Sequence, residues 1–215
     1  SVVSKVTDGE NKDQKIIEIE VEEQATGEIS AGAGVGTNGG SFAFNVTEDN
    51  WLGKGINLST SVDVSAESFT GGLSVTDPNH NFTGNALTYF VSQSTNEKKD
   101  SGFKNTIFST GVGTRFEQYR NIYISPNLSF SHDDLKVDNS ASDSLKKQKG
   151  TYSDLSGTYG FSYDNRDRSF MPTKGSVFGF TQVLPFYADK SYISNTLTYS
   201  KYTTLSENIV GAGKL

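Results

Sequence analysis

The chain has 215 residues, a net charge of −6 and no Cys, with 33% hydrophobic residues but 22 Gly, 14 Phe and 10 Tyr. That balance excludes a phosphate-binding surface, which needs clustered Lys and Arg, and it removes thiol chemistry, disulfides and thiolate metal sites. No stretch approaches the roughly 18 consecutive apolar residues of a membrane-spanning helix. The chain starts at Ser1 without Met or signal peptide and ends in an apparent strand, so it reads as an internal piece of a longer protein.

Residues Lys15 to Val21 alternate, with Ile17, Ile19 and Val21 on one face and Glu18, Glu20 and Glu22 on the other, the period of a half-buried strand. After Ala25-Thr26-Gly27 charges thin out, and each strand sets apolar residues on one face against Gly, Ser, Thr or Asn on the other. A boundary is expected there, dividing residues 1–25 from 26–215.

The first strand beyond it runs from Glu28 to Thr37, with Ile29, Ala31, Ala33 and Val35 on one side and Ser30, Gly32, Gly34 and Gly36 on the other. Asn38-Gly39-Gly40 turns the chain. Phe42, Phe44 and Val46 mark a second strand, Ile56, Leu58, Val62 and Val64 a third, and Phe69, Leu73 and Val75 a fourth. Leu87, Tyr89 and Val91 mark a fifth, followed by a less regular sixth near Lys104 to Phe116. Ile122, Ile124, Leu128 and Phe130 give the seventh, in which Pro126 costs a ladder bond. Leu155 to Tyr163, Val177 to Leu184, Ile193 to Tyr202 and Asn208 onward complete about eleven antiparallel strands, with no convincing helix.

Alternation alone leaves open whether the apolar face meets a protein core or lipid, since sandwiches and membrane barrels share the period. Loop parity favours a barrel. The longest connections, Gln93 to Gly102 and Asp133 to Lys149, both fall at odd-numbered turns and so at one end. Even-numbered turns such as Glu117 to Asn121 are mostly shorter. Trp51, Tyr119, Phe170 and Phe186 near strand ends suit an aromatic girdle.

Several chemical readings are weak. Gly34 to Gly39 matches G-x-G-x-x-G literally, yet Ser41-Phe42-Ala43-Phe44 begins a strand where a nucleotide fold needs a helix. His80 and His132, in or beside loops, have no metal or triad spacing. Asp133, Asp134, Asp138 and Asp143 lack the Gly and terminal Glu of an EF-hand loop and read as an acidic external loop. The Asn-x-Ser/Thr triplets at Asn45, Asn57, Asn81 and Asn127 carry no weight in so polar a chain.

The Gly-rich first strand has a sharper reading. A strand with few side chains binds its neighbour weakly, and if it is the first strand of a barrel its seam can open and expose an edge. Such an edge accepts a strand from another chain.

The stretch VEEQATGEISAGAGVGTNGGSFAFNVTEDNWLGKG, Val21 to Gly55, resembles the junction of the last POTRA domain with the first barrel strands in the BamA family of outer-membrane assembly factors. YGFSYDNRDRSFMPTKGS, Tyr159 to Ser176, resembles that family's periplasmic turn motif, carried here by Asp164, Arg166, Asp167, Phe170, Pro172, Thr173 and Gly175. With the Leu73 to Pro78 segment, the likeness spans nearly the whole chain. On the residues alone the motif reads as structural: opposite charges pair while Pro and Gly fix the bend.

The resemblance implies an all-β, transmembrane antiparallel barrel of about sixteen strands, of which roughly five lie outside this chain, preceded by the last strand of a POTRA domain. It implies a non-enzymatic factor without cofactor, in the cell outer membrane with its N-terminal segment in the periplasm. Its partners would be unfolded outer-membrane protein clients, outer-membrane lipid and accessory lipoproteins, with no nucleic acid. A lateral gate is implied at Glu28, Ile29, Ser30, Ala31, Gly32, Ala33, Gly34, Val35, Gly36 and Thr37. Polypeptide translocators of the TamA or two-partner secretion type and pore-forming channels are the alternative.

Overall fold

The computed structural model describes residues 2–8, 14–22, 24–36, 39–189, 192–207 and 209–215. Two strands, β1 (Val2–Asp8) and β2 (Lys15–Val21), form an antiparallel pair of their own, in which Val6 faces Ile17 and Ser4 faces Ile19. A single strand was expected here; β1 makes it a hairpin.

The remaining strands form one antiparallel sheet of eleven, in chain order. They are β3 (Gly27–Gly36), β4 (Gly39–Trp51), β5 (Ile56–Ser65), β6 (Ser68–His80), β7 (Asn85–Lys98) and β8 (Phe103–Tyr119). After them come β9 (Ile122–Val137), β10 (Gly150–Asp164), β11 (Gly175–Ala188), β12 (Ser194–Ser206) and β13 (Ile209–Lys214). The expected strand count holds, although Thr37, Asn38 and Asn208, placed in the first strand, first turn and last strand, lie outside the described residues.

The turns alternate between a near rim, where β3 begins, and a far rim, where it ends. At the far rim several expectations are corrected. Gln93 to Lys98 is strand, leaving only residues 99–102 as a turn, and Asp133 to Val137 extends β9, so the β9–β10 connection is 138–149. The irregular sixth strand is the longest, β8 at 17 residues. A one-turn helix, α1 (Asp143–Lys146), is capped by Ser142. His132, expected in or beside a loop, sits within β9, its Nδ1 3.0 Å from Ser153 Oγ. Asp133 and Asp134 are strand residues too, and Asp134 pairs with Lys136 at 3.3 Å. The contrast in loop length rests on one connection, because residues 165–174 make an almost equally long turn at the near rim.

Register aligns the two faces across the sheet. One row reads Ile29, Val46, Thr60, Leu73, Val91, Thr110, Phe130, Leu155. The adjacent row on the other face reads Glu28, Thr47, Ser59, Ser74, Phe90, Gly111, Ser129, Ser156. Among the described residues nothing forms a second layer over the apolar rows: Val64, Leu73, Leu128 and Phe130 stay exposed, and Val137 and Ala141 are the only buried hydrophobic residues. A sandwich core is thereby ruled out for this sheet.

The threonines on the apolar face are compatible with a covering that offers no water. Thr60, Thr110 and Thr114 each donate a hydroxyl to a carbonyl of the neighbouring strand, at Gly72, Phe90 and Ala86, over 2.7–3.0 Å. A hydroxyl turned back onto the backbone asks nothing of water, as hydrocarbon surroundings require. The far-rim extensions differ: Glu97 pairs with Lys104 at 3.2 Å and Glu67 with Lys98 at 2.5 Å, groups suited to solvent.

Candidate functional site

β3 is an edge of the sheet, paired to β4 alone and exposed along its whole length. Its first end is clasped. The Thr26 hydroxyl donates to the Glu48 carboxylate, the Asp49 amide donates to the Thr26 carbonyl at 3.2 Å, and a Cβ on Gly27 would meet Glu48 Oε2 at 2.8 Å.

Toward the far rim the contacts thin. Ile29 faces Val46, but Ala31 and Ala33 face Phe44 and Phe42 with a single methyl each, and Ser30 faces Asn45. Val35 faces only Gly40 and is 93% exposed. Gly34 lies near Ser41 Oγ, at 3.2 Å from the position of a Cβ. A hollow of about 380 Å³ lies along Gly32, Gly34, Ser41 and Asp63.

The strand glycines differ in what surrounds them. At two interior positions a ring occupies the missing side chain's space: Phe90 carbons would be 2.8 Å from a Cβ on Gly111, and Phe186 carbons 2.7 Å from one on Gly157, while Gly113 and Gly179 lie against Asn127 and Thr198. At Gly32 and Gly36 nothing lies within 4 Å, as at Gly213 of the other edge strand, and none of the three has a positive φ. The effect of Gly32 and Gly36 is to remove cross-strand side-chain pairs with β4, each worth roughly 0.2–1 kcal/mol.

The second group of predicted residues comes together at the near-rim turn between β10 and β11. Asp164 accepts from Arg166 Nε at 2.9 Å and Nη2 at 2.7 Å, a two-pronged ion pair. Asp167 accepts from the Thr173 amide at 3.0 Å, the Thr173 hydroxyl at 2.7 Å and the Lys174 amide at 3.2 Å. These bonds hold its carboxyl well below the usual carboxylate range. Asn165, outside the predicted set, accepts from the Ser176 amide at 2.7 Å, and Thr204 of β12 donates to the Thr173 carbonyl at 3.1 Å. Gly175 has φ +102° and leaves 2.5 Å between a Cβ and the Asn165 carbonyl oxygen, so a side chain does not fit. Phe170 stands out from the turn, 80% exposed, beside Pro172.

β3 and the turn are separate features: β3 is one edge, and the turn joins the eighth and ninth strands of the sheet. No group of three or more His, Cys, Asp or Glu suited to a metal occurs among the described residues.

The fold is similar to a solved structure of BamA from Haemophilus ducreyi lacking POTRA domains 1–3, with a TM-score of 0.79 and 23% identity over all of this chain and 45% of that one. It is also similar to CdiB from Escherichia coli, with a TM-score of 0.57 and 13% identity over 99% of this chain and 44% of that one. The chain thus spans under half the length of either. The model of the Omp85 superfamily domain matches residues 50–215, a stretch that excludes β3 and nearly all of β4. By that match the chain belongs to the Omp85 superfamily and is part of an outer-membrane β-barrel protein.

Proposed function

We propose that this chain is the N-terminal part of the barrel of an outer-membrane protein assembly factor, which folds client barrels into the membrane through a lateral gate at β3. In this reading residues 1–25 end a periplasmic POTRA domain and residues 26–215 begin the barrel. The clients are unfolded outer-membrane proteins, handled in outer-membrane lipid with accessory lipoproteins and without nucleotide.

The observation that carries it is the make-up of β3, the first strand of the sheet: clasped to β4 at Thr26–Glu48 and then bare of side chains at Gly32 and Gly36. Opening such a seam in lipid would strand backbone groups at several kcal/mol each. A client strand that takes them up makes the exchange nearly even. Burial of the client's apolar face, at about 25 cal/mol per Å², then drives release.

The test uses the native absence of Cys in this stretch. Ser30→Cys, combined with a cysteine on the strand that closes the seam in the full-length protein, permits the gate to be locked by oxidation. Client assembly should stop when oxidised and return on reduction. Unimpaired assembly with the seam locked would sink the gate.

The second reading is a polypeptide translocator or channel, favoured by the Ser- and Thr-lined rows and by the likeness of fold to CdiB. It predicts that the locked barrel still conducts its cargo.

A further inference from the structure

Three irregularities of strand sequence meet at one place on the apolar face. Pro126 sits within β9, facing Tyr159, and leaves a ladder bond unmade. Gly157 lies one row toward the far rim, between Leu128 of β9 and Leu184 of β11. There the register of β10 and β11 slips: Ser156 faces Pro185 and Leu155 faces Tyr187, so Phe186 is an extra residue without a partner, and its ring leans over Gly157.

Together they leave an open groove of about 490 Å³, within the range of roughly 300–1,000 Å³ of small-ligand sites. Leu128, Tyr159 and Leu184 stand around the low ground at Gly157 and Pro126, and Phe186 stands at the far-rim end. On the β8 side, Thr114 spends its hydroxyl on the Ala86 carbonyl at 2.7 Å, so that wall asks for no polar partner.

The row below Gly157 is not apolar. Gln182 faces both Tyr159 and Asn195, and its Nε2 donates to Asn195 Oδ1 at 2.8 Å. Along the same face Leu184 lies on one side of Gln182, and Phe180, paired with Leu197, lies on the other. The amide pair therefore stands inside the apolar band and away from both rims. Two primary amides carry four N–H groups and two oxygens, and this bond spends one of each, so three N–H groups remain on a face that hydrocarbon covers. Unpaired there, each costs free energy. The spare capacity is chiefly of donors, and what satisfies it is an acceptor.

A protein segment suits the groove poorly. β9, β10 and β11 are each paired on both sides and offer no edge to a strand. A helix, roughly 10–12 Å across, is broader than a gap left by one missing side chain.

We propose that the groove holds one acyl chain of a glycerophospholipid, whose ester carbonyl accepts from the spare amide N–H groups of Gln182 and Asn195. The groove is continuous with the surface that meets hydrocarbon, so the chain enters sideways from the bilayer. A lipid held by both chain and carbonyl exchanges more slowly than lipid over the rest of the wall. This rests on the barrel reading and not on the gate, so a failed locking experiment at Ser30 leaves it standing.

Native mass spectrometry of the full-length protein tests it. The protein is reconstituted in nanodiscs of a diester phosphatidylcholine or of its diether analogue with chains of equal length, and bound lipids are counted as the collision energy rises. One diester lipid per protein should outlast the rest, retained several-fold more than the diether. Gln182→Leu with Asn195→Leu should abolish that preference, and Gly157→Leu should abolish the retention of either lipid. Folding of each variant is checked by heat-modifiable mobility. The amide variants leave the groove itself in place and decide the matter if Gly157→Leu, which crowds Phe186, does not fold. Equal retention of the two lipids overturns the proposal, as does a preference that survives loss of both amides or retention indifferent to Gly157→Leu in a folded protein. So does a site filled by lipopolysaccharide carried through purification, with the diester excluded.

Discussion

The carboxylate of Asp167 closes on Thr173 through two hydrogen bonds, from the Thr173 amide at 3.0 Å and from its hydroxyl at 2.7 Å. Because these bonds hold the folded-state pKa below its unfolded value, the stability they confer is present above the ordinary carboxylate range and is lost only as pH falls through the lowered value. Asp167→Asn should therefore lower resistance to urea at neutral pH, and the gap to the parent protein should narrow in strong acid. Thr173→Val should not add to Asp167→Asn, since both remove one clasp. Additive losses would mean the two residues act separately.

Gly175 and Gly32 should respond in opposite senses to alanine. At Gly175 the new methyl meets backbone atoms of Asn165 and Arg166 at 2.5–2.7 Å in a left-handed conformation, so a loss of about 1–3 kcal/mol is expected. At Gly32 the methyl enters open space, and the reduced freedom of the unfolded chain favours a gain of about 0.4–1 kcal/mol. Urea titration of the two variants reads both signs.

Gly32→Val and Gly36→Val should go further, adding β-branched side chains to the face of β3 that lacks them. Greater resistance to heat together with slower client assembly is the expected pair of outcomes. Faster or unchanged assembly in a stiffened variant would argue that the bareness of β3 has no bearing on the gate.

The interior glycines yield a finer contrast. Gly111→Ala places a methyl 2.6 Å from the Leu128 carbonyl oxygen as well as against Phe90, and a loss of about 1–3 kcal/mol follows. Gly157→Ala meets the Phe186 ring alone, which can swing aside. It should cost less, and combining it with Phe186→Leu should remove most of what remains.

Phe82→Gly should stabilise the detergent-solubilised protein by about 1 kcal/mol through relief of left-handed strain. Comparison of thermal midpoints with the parent protein would show the gain.

The alternation of apolar and small residues made all eleven strands of the sheet legible, because a strand facing lipid on one side and polar groups on the other keeps a strict period of two. Where the sheet rises past the apolar zone the period disappears. Glu97, Lys98, Lys104 and Asp134 are polar whichever face they take, which is why the ends of β7 and β9 read as loops. β1 is as long as β2, but Val3, Ser4, Lys5 and Val6 show no apolar alternation, and its pattern becomes informative only beside β2. The paired charges of the Asp164–Thr173 turn were visible as composition, whereas the role of Asn165 needed the fold, since its partner Ser176 is eleven residues away. Nor does sequence distinguish Gly32 from Gly111: each is a glycine in an alternating strand, and only the neighbours show that one lies beneath a ring and the other beneath nothing.

Among the described residues every strand of the large sheet bonds to its neighbours along the chain. Up to the closing of the seam such a sheet grows without a long-range search, because each completed hairpin offers a fresh template to the residues that follow. The order of assembly is thereby written into the connectivity.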